Sequence, residues 1–371
     1  MTSLYVHVPF CTVRCGYCDF NTYTLNRAGI SYDDYLTALA HELERAATTF
    51  GSGTVLDTVF CGGGTPTLLG AGLGQVLELI RQHFTLAPDA EVSTEANPET
   101  LTPALLQVLR GAGYNRISIG MQSANPQVLH TLGRVHTPGR AVAAVQEAKA
   151  AGFDNINLDL IYGTPGESLG EWLDSLGAAL ETQPTHLSAY ALTLAPHTPL
   201  ARRIARGSTP AITEDDLADK YLAAEALLAS AGFSNYEVSN WALPARECRH
   251  NLAYWLGANW WGAGPGAHSH RADTRWWNVR NPRRWADLLA AGKSPSAGVE
   301  TLNAAAQATE QVMLRLRLAS GLPLQLLPAS TADLVAGYVS DNLARVNGDS
   351  LVLTPTGRLL ADRISLELVS N

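Results

Sequence analysis

The chain has 371 residues, of which 46% are hydrophobic, so it is long enough for one large domain with a well-filled core and an appendage. Its 26 basic and 34 acidic residues give a formal net charge of −8, which argues against nucleic acid or an anionic membrane as the main partner. No apolar run reaches the length of a membrane span and no secretory signal is visible, so we expect a cytoplasmic protein.

Apolar runs and helical patterns alternate through the first half of the chain, which predicts a parallel sheet with right-handed crossovers. The predicted strands are Leu4–Val8, Val55–Phe60, Glu91–Glu95, Arg116–Gly120, Ile156–Leu160 and His186–Ala191. The predicted helices between them are Asp33–Ala47, Leu73–His83, Pro103–Ala112, Gly139–Ala151 and Leu169–Glu181. Six strands are fewer than the eight of a complete (β/α)8 barrel, and a partial barrel or a doubly wound sheet fits this pattern equally well.

The second half of the chain differs in character. A helix is predicted over Glu214–Ala231 and a strand over Asn235–Val238. The last part is predicted to contain the helix Glu310–Leu318, a hairpin at Leu343–Leu353 around Asn347-Gly348, and the helix Pro355–Leu366. We therefore divide the chain into residues 1–240, which hold the sheet and its site, and a smaller C-terminal α+β domain over residues 241–371. The latter is similar to a winged-helix module, with a scaffolding role favoured by the acidic charge.

Three cysteines, Cys11, Cys15 and Cys18, follow the first predicted strand in a C-x3-C-x2-C spacing. Four thiolates fully ligate a [4Fe–4S] cluster, so three would leave one iron open to another ligand. The alternatives are a zinc site and unrelated thiols, but zinc sites usually pair C-x2-C units and no second pair follows. Cys61 and Cys248 are isolated and predicted to be buried, so no disulfide framework is indicated.

Glycines and polar residues follow the other predicted strands at the same edge of the sheet. The second strand leads into Gly62-Gly63-Gly64-Thr65, where the backbone can approach a ligand closely. Glu95 ends the third strand, where a carboxylate can accept hydrogen bonds from ribose hydroxyls. Gln122 and Asp159 end the fourth and fifth strands. Taken singly, each of these polar residues is explained equally well as a helix cap or a satisfied polar group.

The cysteine loop, with Tyr17 just before its third cysteine, resembles that of the radical S-adenosylmethionine superfamily. The resemblance implies an α/β fold with a partial six-stranded (β/α)6 barrel, and a [4Fe–4S] cluster whose open iron is chelated by S-adenosylmethionine. Further runs are similar to the oxygen-independent coproporphyrinogen III oxidase branch: Tyr-Val-His-Val-Pro-Phe-Cys, Gly-Gly-Gly-Thr-Pro-Thr, Gly-Met-Gln-Ser, Leu-Gly-Arg and Asp-Leu-Ile-Tyr-Gly-Thr-Pro. For S-adenosylmethionine binding, this resemblance implies Tyr5, Tyr17, Gly63, Gly64, Thr65, Glu95, Gln122, Arg134 and Asp159.

Two features depart from the oxidase pattern. Phe20 stands where the oxidase has a fourth cysteine, and Tyr5 is nearly the first residue, whereas the oxidase has a substantial extension before its cluster strand. Both departures resemble the sister group, the HemW-type haem chaperones. Their H-N-x-x-Y-W motif matches the run His250-Asn251-Leu252-Ala253-Tyr254-Trp255, and in that group the histidine is implicated in haem binding.

Other residues near this motif bear on haem binding. A neutral imidazole is a common axial ligand of haem iron, and His7, His268 and His270 rival His250 for that role. Seven of the eight tryptophans lie between Trp241 and Trp285, together with several arginines that could meet haem propionates. The alternative is that the tryptophans are core residues and the arginines belong to a solvated face.

We therefore expect a haem carrier that binds haem through His250 and passes it to an acceptor haemoprotein, such as a respiratory cytochrome or a haem enzyme. The cluster and S-adenosylmethionine would serve assembly, dimerisation or regulation, and we expect no coproporphyrinogen oxidase activity. The alternative is a radical enzyme of porphyrin biosynthesis that abstracts hydrogen from a porphyrinogen propionate. A radical enzyme with an unrelated substrate is a third reading. A homodimer and peripheral contact with a membrane are both compatible with the sequence.

Overall fold

Six consecutive parallel strands form the centre of the fold. The computed structural model describes residues 1–51, 53–134 and 137–370. Each of the six strands pairs in parallel with the next in chain order. They are β1 (Thr2–Val8), β2 (Val55–Gly63), β3 (Thr85–Ala96), β4 (Arg116–Gln122), β5 (Asn155–Tyr162) and β6 (His186–Ala191). The predicted α/β fold with six parallel strands is confirmed.

Helices connect these strands or follow the last of them, and they bury apolar side chains against the sheet. They are α1 (Tyr32–Phe50), α2 (Gly72–His83), α3 (Pro103–Ala112), α4 (Pro126–Leu132), α5 (Arg140–Ala150), α6 (Leu169–Glu181), α7 (Pro199–Ala205) and α8 (Glu214–Ser230). Ser31 and Ser168 begin α1 and α6 with capping boxes, in which the serine and an acidic residue three positions later satisfy backbone N–H groups.

Shorter strands extend the sheet at both ends, to twelve strands among the described residues. On the β6 side lie β7 (Ser234–Glu237) and β8 (Asn240–Ala242), both antiparallel to their neighbours. On the other side β9 (Asn259–Ala263) pairs in parallel with β1. It is followed by the antiparallel strands β10 (His268–Arg271), β11 (Thr274–Asn278) and β12 (Ser296–Thr301).

Two further helices belong to this extension. Helix α9 (Arg249–Trp255) connects β8 to β9, and α10 (Pro282–Ala290) lies between β11 and β12. Residues up to Thr301 thus share one sheet with the N-terminal part of the chain. The predicted boundary at residue 240 falls inside β8 and stays a prediction, because hydrogen bonding in the sheet does not separate the chain there.

The C-terminal segment has a hydrophobic cluster of its own, which includes Val312, Leu351 and Ile364. Its elements are α11 (Ala304–Arg315), β13 (Leu322–Pro323), α12 (Ala332–Ser340), β14 (Ala344–Asn347), β15 (Ser350–Leu353), α13 (Pro355–Arg358) and α14 (Ala361–Val369). The hairpin predicted around Asn347-Gly348 is confirmed. The single helix predicted over Pro355–Leu366 is wrong, because a tight turn in which the Leu360 N–H donates to the Gly357 carbonyl divides it into two.

None of the helices in the described ranges combines the length and the apolarity that crossing a bilayer requires.

A buried carboxylate on α1 holds the strands that follow β8 against the first half of the chain. Glu42 accepts hydrogen bonds from the Gly264 N–H at 2.7 Å, the Asn278 side chain at 2.6 Å and the Trp285 indole at 2.9 Å. These donors lie in the β9–β10 turn, on β11 and on α10. Burial raises the pKa of Glu42 to about 7, against the opposing effect of its three donors. One side chain therefore joins four segments of the fold.

We expect Glu42→Gln to lower the free energy of unfolding by about 1–3 kcal/mol, because the amide nitrogen would face a buried N–H donor. Between about pH 4.5 and 7 the folded protein keeps a proton on Glu42 that the unfolded chain releases. The stabilisation that protonated Glu42 gives the fold is therefore lost as the pH rises through that window. The difference between wild type and the variant should therefore shrink from pH 5 to pH 7. Urea unfolding at both pH values measures it, with exposed Glu44→Gln on the same helix as the control; equal stability of all three proteins would contradict the prediction.

Candidate functional site

A cavity of about 450 Å³ opens at the carboxyl ends of the central strands. We call it the cluster cavity. It brings together eleven of the residues predicted from sequence: Cys11, Cys15, Tyr17, Cys18, Gly63, Gly64, Thr65, Glu95, Gln122, Arg134 and Asp159. Parallel strands explain this gathering, because their carboxyl ends meet at one edge of the sheet.

The cysteine loop is fixed by backbone hydrogen bonds on both sides. Gly16 donates its N–H to the Leu132 carbonyl at 3.0 Å, and its own carbonyl accepts from the Leu200 N–H at 2.9 Å. At the start of the loop, the residue pair Phe10–Cys11 lies parallel to Tyr23–Thr24. The loop is therefore held in position by neighbouring segments before any ligand is bound.

The glycine run after β2 packs directly on this loop. The Gly64 N–H donates to the Val8 carbonyl at 2.8 Å, and the Thr65 N–H donates to the Phe10 carbonyl at 2.7 Å. A Cβ atom at Gly64 would lie 2.4 Å from the Phe10 oxygen and 3.1 Å from the Cys11 sulfur. Glycine at this position is thus required for the close approach of the two segments.

Two cysteine sulfurs accept hydrogen bonds from predicted site residues. Thr65 Oγ1 donates to Cys11 Sγ at 3.8 Å, and Arg134 Nη1 donates to Cys15 Sγ at 3.5 Å. The Nε atom of Arg134 is buried and has no hydrogen-bond partner among the described residues. The guanidinium therefore keeps a free donor beside the cavity, as a binding group for an anionic ligand requires.

Burial raises the pKa of the Cys11 and Cys18 thiols. Metal binding would release their protons, since thiolates are the ligating form. In residues 1–51, 53–134 and 137–370, no three Cys, His, Asp or Glu side chains converge closely enough to hold a single metal ion. Cys11, Cys15 and Cys18 are free thiols that line one cavity, and three thiolates are the number that leaves one iron of a four-iron cluster open.

Two carboxylates line the wall of the cluster cavity opposite hydrogen-bond donors. Glu95 accepts the Gly63 N–H at 2.9 Å, and Asp159 accepts from Ser118 and Asn157, each at 2.7 Å. Burial, with the charge of Asp159 second, raises the pKa of Glu95 to about 8. A carboxylate whose pKa is raised by burial and a neighbouring negative charge gains from a cationic or hydroxyl-bearing partner, so this wall is suited to an ammonium or to hydroxyl groups.

A second cavity, of about 520 Å³, adjoins the first and shares Phe20, Gly63 and Glu95 with it. We call it the outer cavity. Tyr5 lines the outer cavity rather than the cluster cavity, and its predicted contact with S-adenosylmethionine stays a prediction. Phe20, at the position of the oxidase's fourth cysteine, is 64% exposed at the junction of the two cavities.

His250 lies on α9 and is buried beneath β1 and β2. Its Nδ1 bonds to Thr58 Oγ1 at 2.7 Å and its Nε2 to the Tyr254 hydroxyl at 2.8 Å. Since Thr58 donates its hydroxyl hydrogen to Ser3, Nδ1 carries the imidazole proton and Nε2 accepts from Tyr254. Burial lowers the pKa of His250 to about 3, so the ring is neutral. Both ring nitrogens are thus occupied.

The H-N-x-x-Y-W spacing places His250 and Tyr254 four residues apart, on one face of α9. Glu91 of β3 caps this helix, because its carboxylate accepts the Arg249 N–H at 2.9 Å and the His250 N–H at 3.0 Å. Glu91 and Thr58 were not predicted as functional residues. Nothing in the local pattern of β2 or β3 indicates that these two side chains meet a helix more than 150 residues away.

Known proteins resemble this chain in sequence and in fold. Residues 5–179 match the model of the Radical SAM superfamily. The chain is 54% identical over 364 residues to the heme chaperone HemW of Mycobacterium tuberculosis, covering 98% of this chain and 93% of the relative. The chain belongs to the HemW family. The HemW of Bacillus subtilis is 32% identical over 378 residues and covers 98% of both chains.

A solved structure related to the HemW family supports the same fold. Coproporphyrinogen III oxidase (HemN) from Escherichia coli, a radical SAM enzyme, superposes with a TM-score of 0.82 at 25% identity, covering 98% of this chain and 89% of the oxidase. The resemblance to both groups that the sequence predicted is therefore confirmed.

We expect Tyr254→Phe to lower the free energy of unfolding by about 1–3 kcal/mol, because Nε2 of His250 would remain buried without its donor. Chemical denaturation measures the change. Tyr32→Phe is the matched control, since the Tyr32 hydroxyl forms no hydrogen bond with the described residues. If both variants unfold at the same denaturant concentration as wild type, the bond to His250 contributes nothing to stability.

Proposed function

We propose that this protein is a haem chaperone that binds haem and transfers it to an acceptor haemoprotein. The observation that carries the proposal is its 54% identity, over nearly the full length of both chains, to a protein named heme chaperone HemW. The H-N-x-x-Y-W motif on α9 supports it, and Trp277 of β11 adds an aromatic face to the outer cavity. The proposed partners are haem and the acceptor, and the proposed compartment is the reducing cytoplasm, which unpaired cysteines require.

We further propose that the cluster cavity holds a [4Fe–4S] cluster and S-adenosylmethionine. Cys11, Cys15 and Cys18 would ligate the cluster, which supplies an open iron and an electron when bound. Arg134 has a free donor for a carboxylate, and the wall formed by Glu95 and Asp159 suits an ammonium and ribose hydroxyls. Tyr17, Gly63, Gly64, Thr65 and Gln122 complete the proposed binding residues.

The motif predicts that His250 takes part in haem binding, and this stays a prediction. In the described conformation its ring donates to Thr58 and accepts from Tyr254. Direct ligation of iron by Nε2 would therefore require the Tyr254 hydroxyl to move away. A homodimer is also proposed only from the resemblance to the family.

The second candidate function is a coproporphyrinogen oxidase-like radical enzyme. The HemN superposition over nearly the whole chain favours it, because a coproporphyrinogen III oxidase has the same fold. Phe20 counts against it, since this exposed side chain offers no fourth thiol at the cavity junction. We therefore rank haem transfer above porphyrinogen oxidation.

Haem transfer is tested with the cluster-reconstituted protein loaded with one equivalent of haem under anaerobic conditions. We expect the haem absorption band to move to an added apo-cytochrome b within minutes, faster than from haem-loaded serum albumin at the same concentration. A parallel reaction with coproporphyrinogen III, S-adenosylmethionine and a reductant should form no protoporphyrinogen. If porphyrinogen is converted and no haem is transferred, the proposal is wrong and the protein is an oxidase-like enzyme.

We expect Gly64→Ala to reduce the iron and acid-labile sulfide retained after anaerobic reconstitution by at least half, because its Cβ would push the Phe10–Cys11 backbone out of position. Gly111→Ala is the control, since a Cβ at Gly111 on α3 meets open space. Iron and sulfide analysis of the two purified variants measures the effect. Full iron content in Gly64→Ala would show that the cluster does not depend on this contact.

A further inference from the structure

The outer cavity is built from two parts of the chain that are far apart in sequence. Residues of β1 and the cysteine loop form one wall, and residues of the strands after α9 form the other. Its volume of about 520 Å³ is in the usual range for a site that encloses a cofactor-sized ligand. Its lining residues include Tyr5, His7, Phe20, His268, Trp277 and Arg280.

His268 presents an open imidazole to this cavity. Its side chain is exposed, and its ring nitrogens form no hydrogen bond with the described residues. The ring stacks on Trp277, directly opposite on β11, with centroids 5.7 Å apart and planes inclined by 23°. A Cβ at Gly298 would lie 2.4 Å from the indole, so this glycine lets the indole lie against β12. Stacking on Trp277 thus favours one orientation of the imidazole plane, while its nitrogens have no partner among the described residues.

The rival histidines are engaged elsewhere. His7 bonds through Nδ1 to the Tyr5 hydroxyl at 3.1 Å and through Nε2 to the Asn21 carbonyl at 3.0 Å. His250 has both nitrogens bonded and lines neither cavity. His270 bonds through Nδ1 to the Ala258 carbonyl at 3.0 Å, packs on Trp260 and also lies outside both cavities.

Arg280 supplies a positive charge at the mouth of the outer cavity. Its Nε donates to the Asn21 side chain at 3.3 Å, which holds the stem. The guanidinium forms no ion pair within the described part of the chain, whereas the neighbouring Arg275 is paired with Glu300 and Glu310. An exposed, unpaired guanidinium held at its stem is suited to a carboxylate of an incoming ligand.

We propose that the outer cavity is the haem site, with His268 as the iron ligand, Trp277 as the positioning residue that orients its ring, and Arg280 as the partner of a haem propionate. The assignment rests on the proposed haem-binding function and specifies where that function resides. His268 would hold the iron through a ring nitrogen, and Trp277 would act only through its stacking on that ring. Haem bound in this way would share a wall with the cluster cavity through Phe20, Gly63 and Glu95.

The test is a haem titration of the full-length, cluster-reconstituted protein, in which the cysteines are engaged and do not compete for iron. We expect His268→Ala to weaken haem binding at least tenfold and to change the spectrum of the bound haem. Added imidazole should restore the wild-type spectrum to this variant, which a purely structural role of His268 would not allow. Arg280→Ala should weaken binding roughly three- to tenfold and leave the spectrum unchanged.

His270→Ala is the matched control, two residues along the same strand, and should bind haem as wild type does. Trp277→Leu should retain binding with an altered spectrum, because the imidazole loses its orientation. A wild-type spectrum and affinity in His268→Ala would overturn the assignment, and loss of binding in His250→Gln alone would transfer it to His250. Failure of wild type to bind haem at all would instead refute the proposed function.

Discussion

Strand β1 is hydrogen-bonded in parallel on both sides, to β2 and to β9, and the arrangement of the site depends on this constraint. The cysteine loop leaves the carboxyl end of β1, so it must lie between the ligand sites that the two neighbours create. The β2 side contributes the glycine run of the cluster cavity, and the β9 side leads into the outer cavity. A strand inserted between two parallel partners thus positions two cavities relative to one loop.

Carboxylates away from the surface have two different roles in this structure. Glu42 joins α1 to the later strands, Glu91 caps α9, and Glu95 and Asp159 form one wall of the cluster cavity. In the first two cases the donors satisfy the carboxylate, and the group holds the fold together. In the last case the carboxylates accept hydrogen bonds from neighbouring groups and also line the cavity, where they are suited to a cationic partner.

The sequence predicts the central sheet well because β1 to β6 are apolar runs separated by amphipathic helices. It also predicts the cluster cavity, since carboxyl ends of parallel strands meet at one edge. The sequence pattern does not predict the strands β9 to β12, because they are short and half exposed. His250 illustrates a different limit: the motif identifies the residue, but only the distant Thr58 and Glu91 show that its ring is buried and bonded. The position of Trp277, on which His268 stacks, likewise depends on Gly298, which no local pattern reveals.

The wall shared by the two cavities has a thermodynamic consequence. Phe20, Gly63 and Glu95 border both cavities. A ligand in one cavity that moved these residues, or changed the charge of Glu95, would change the ligand affinity of the other cavity. Linkage makes that influence reciprocal: whatever factor the occupant of the cluster cavity applies to affinity in the outer cavity, the outer occupant returns in equal measure. On the proposed assignment, the affinity for haem in the outer cavity would therefore depend on what fills the cluster cavity, and the shared residues would couple the two sites.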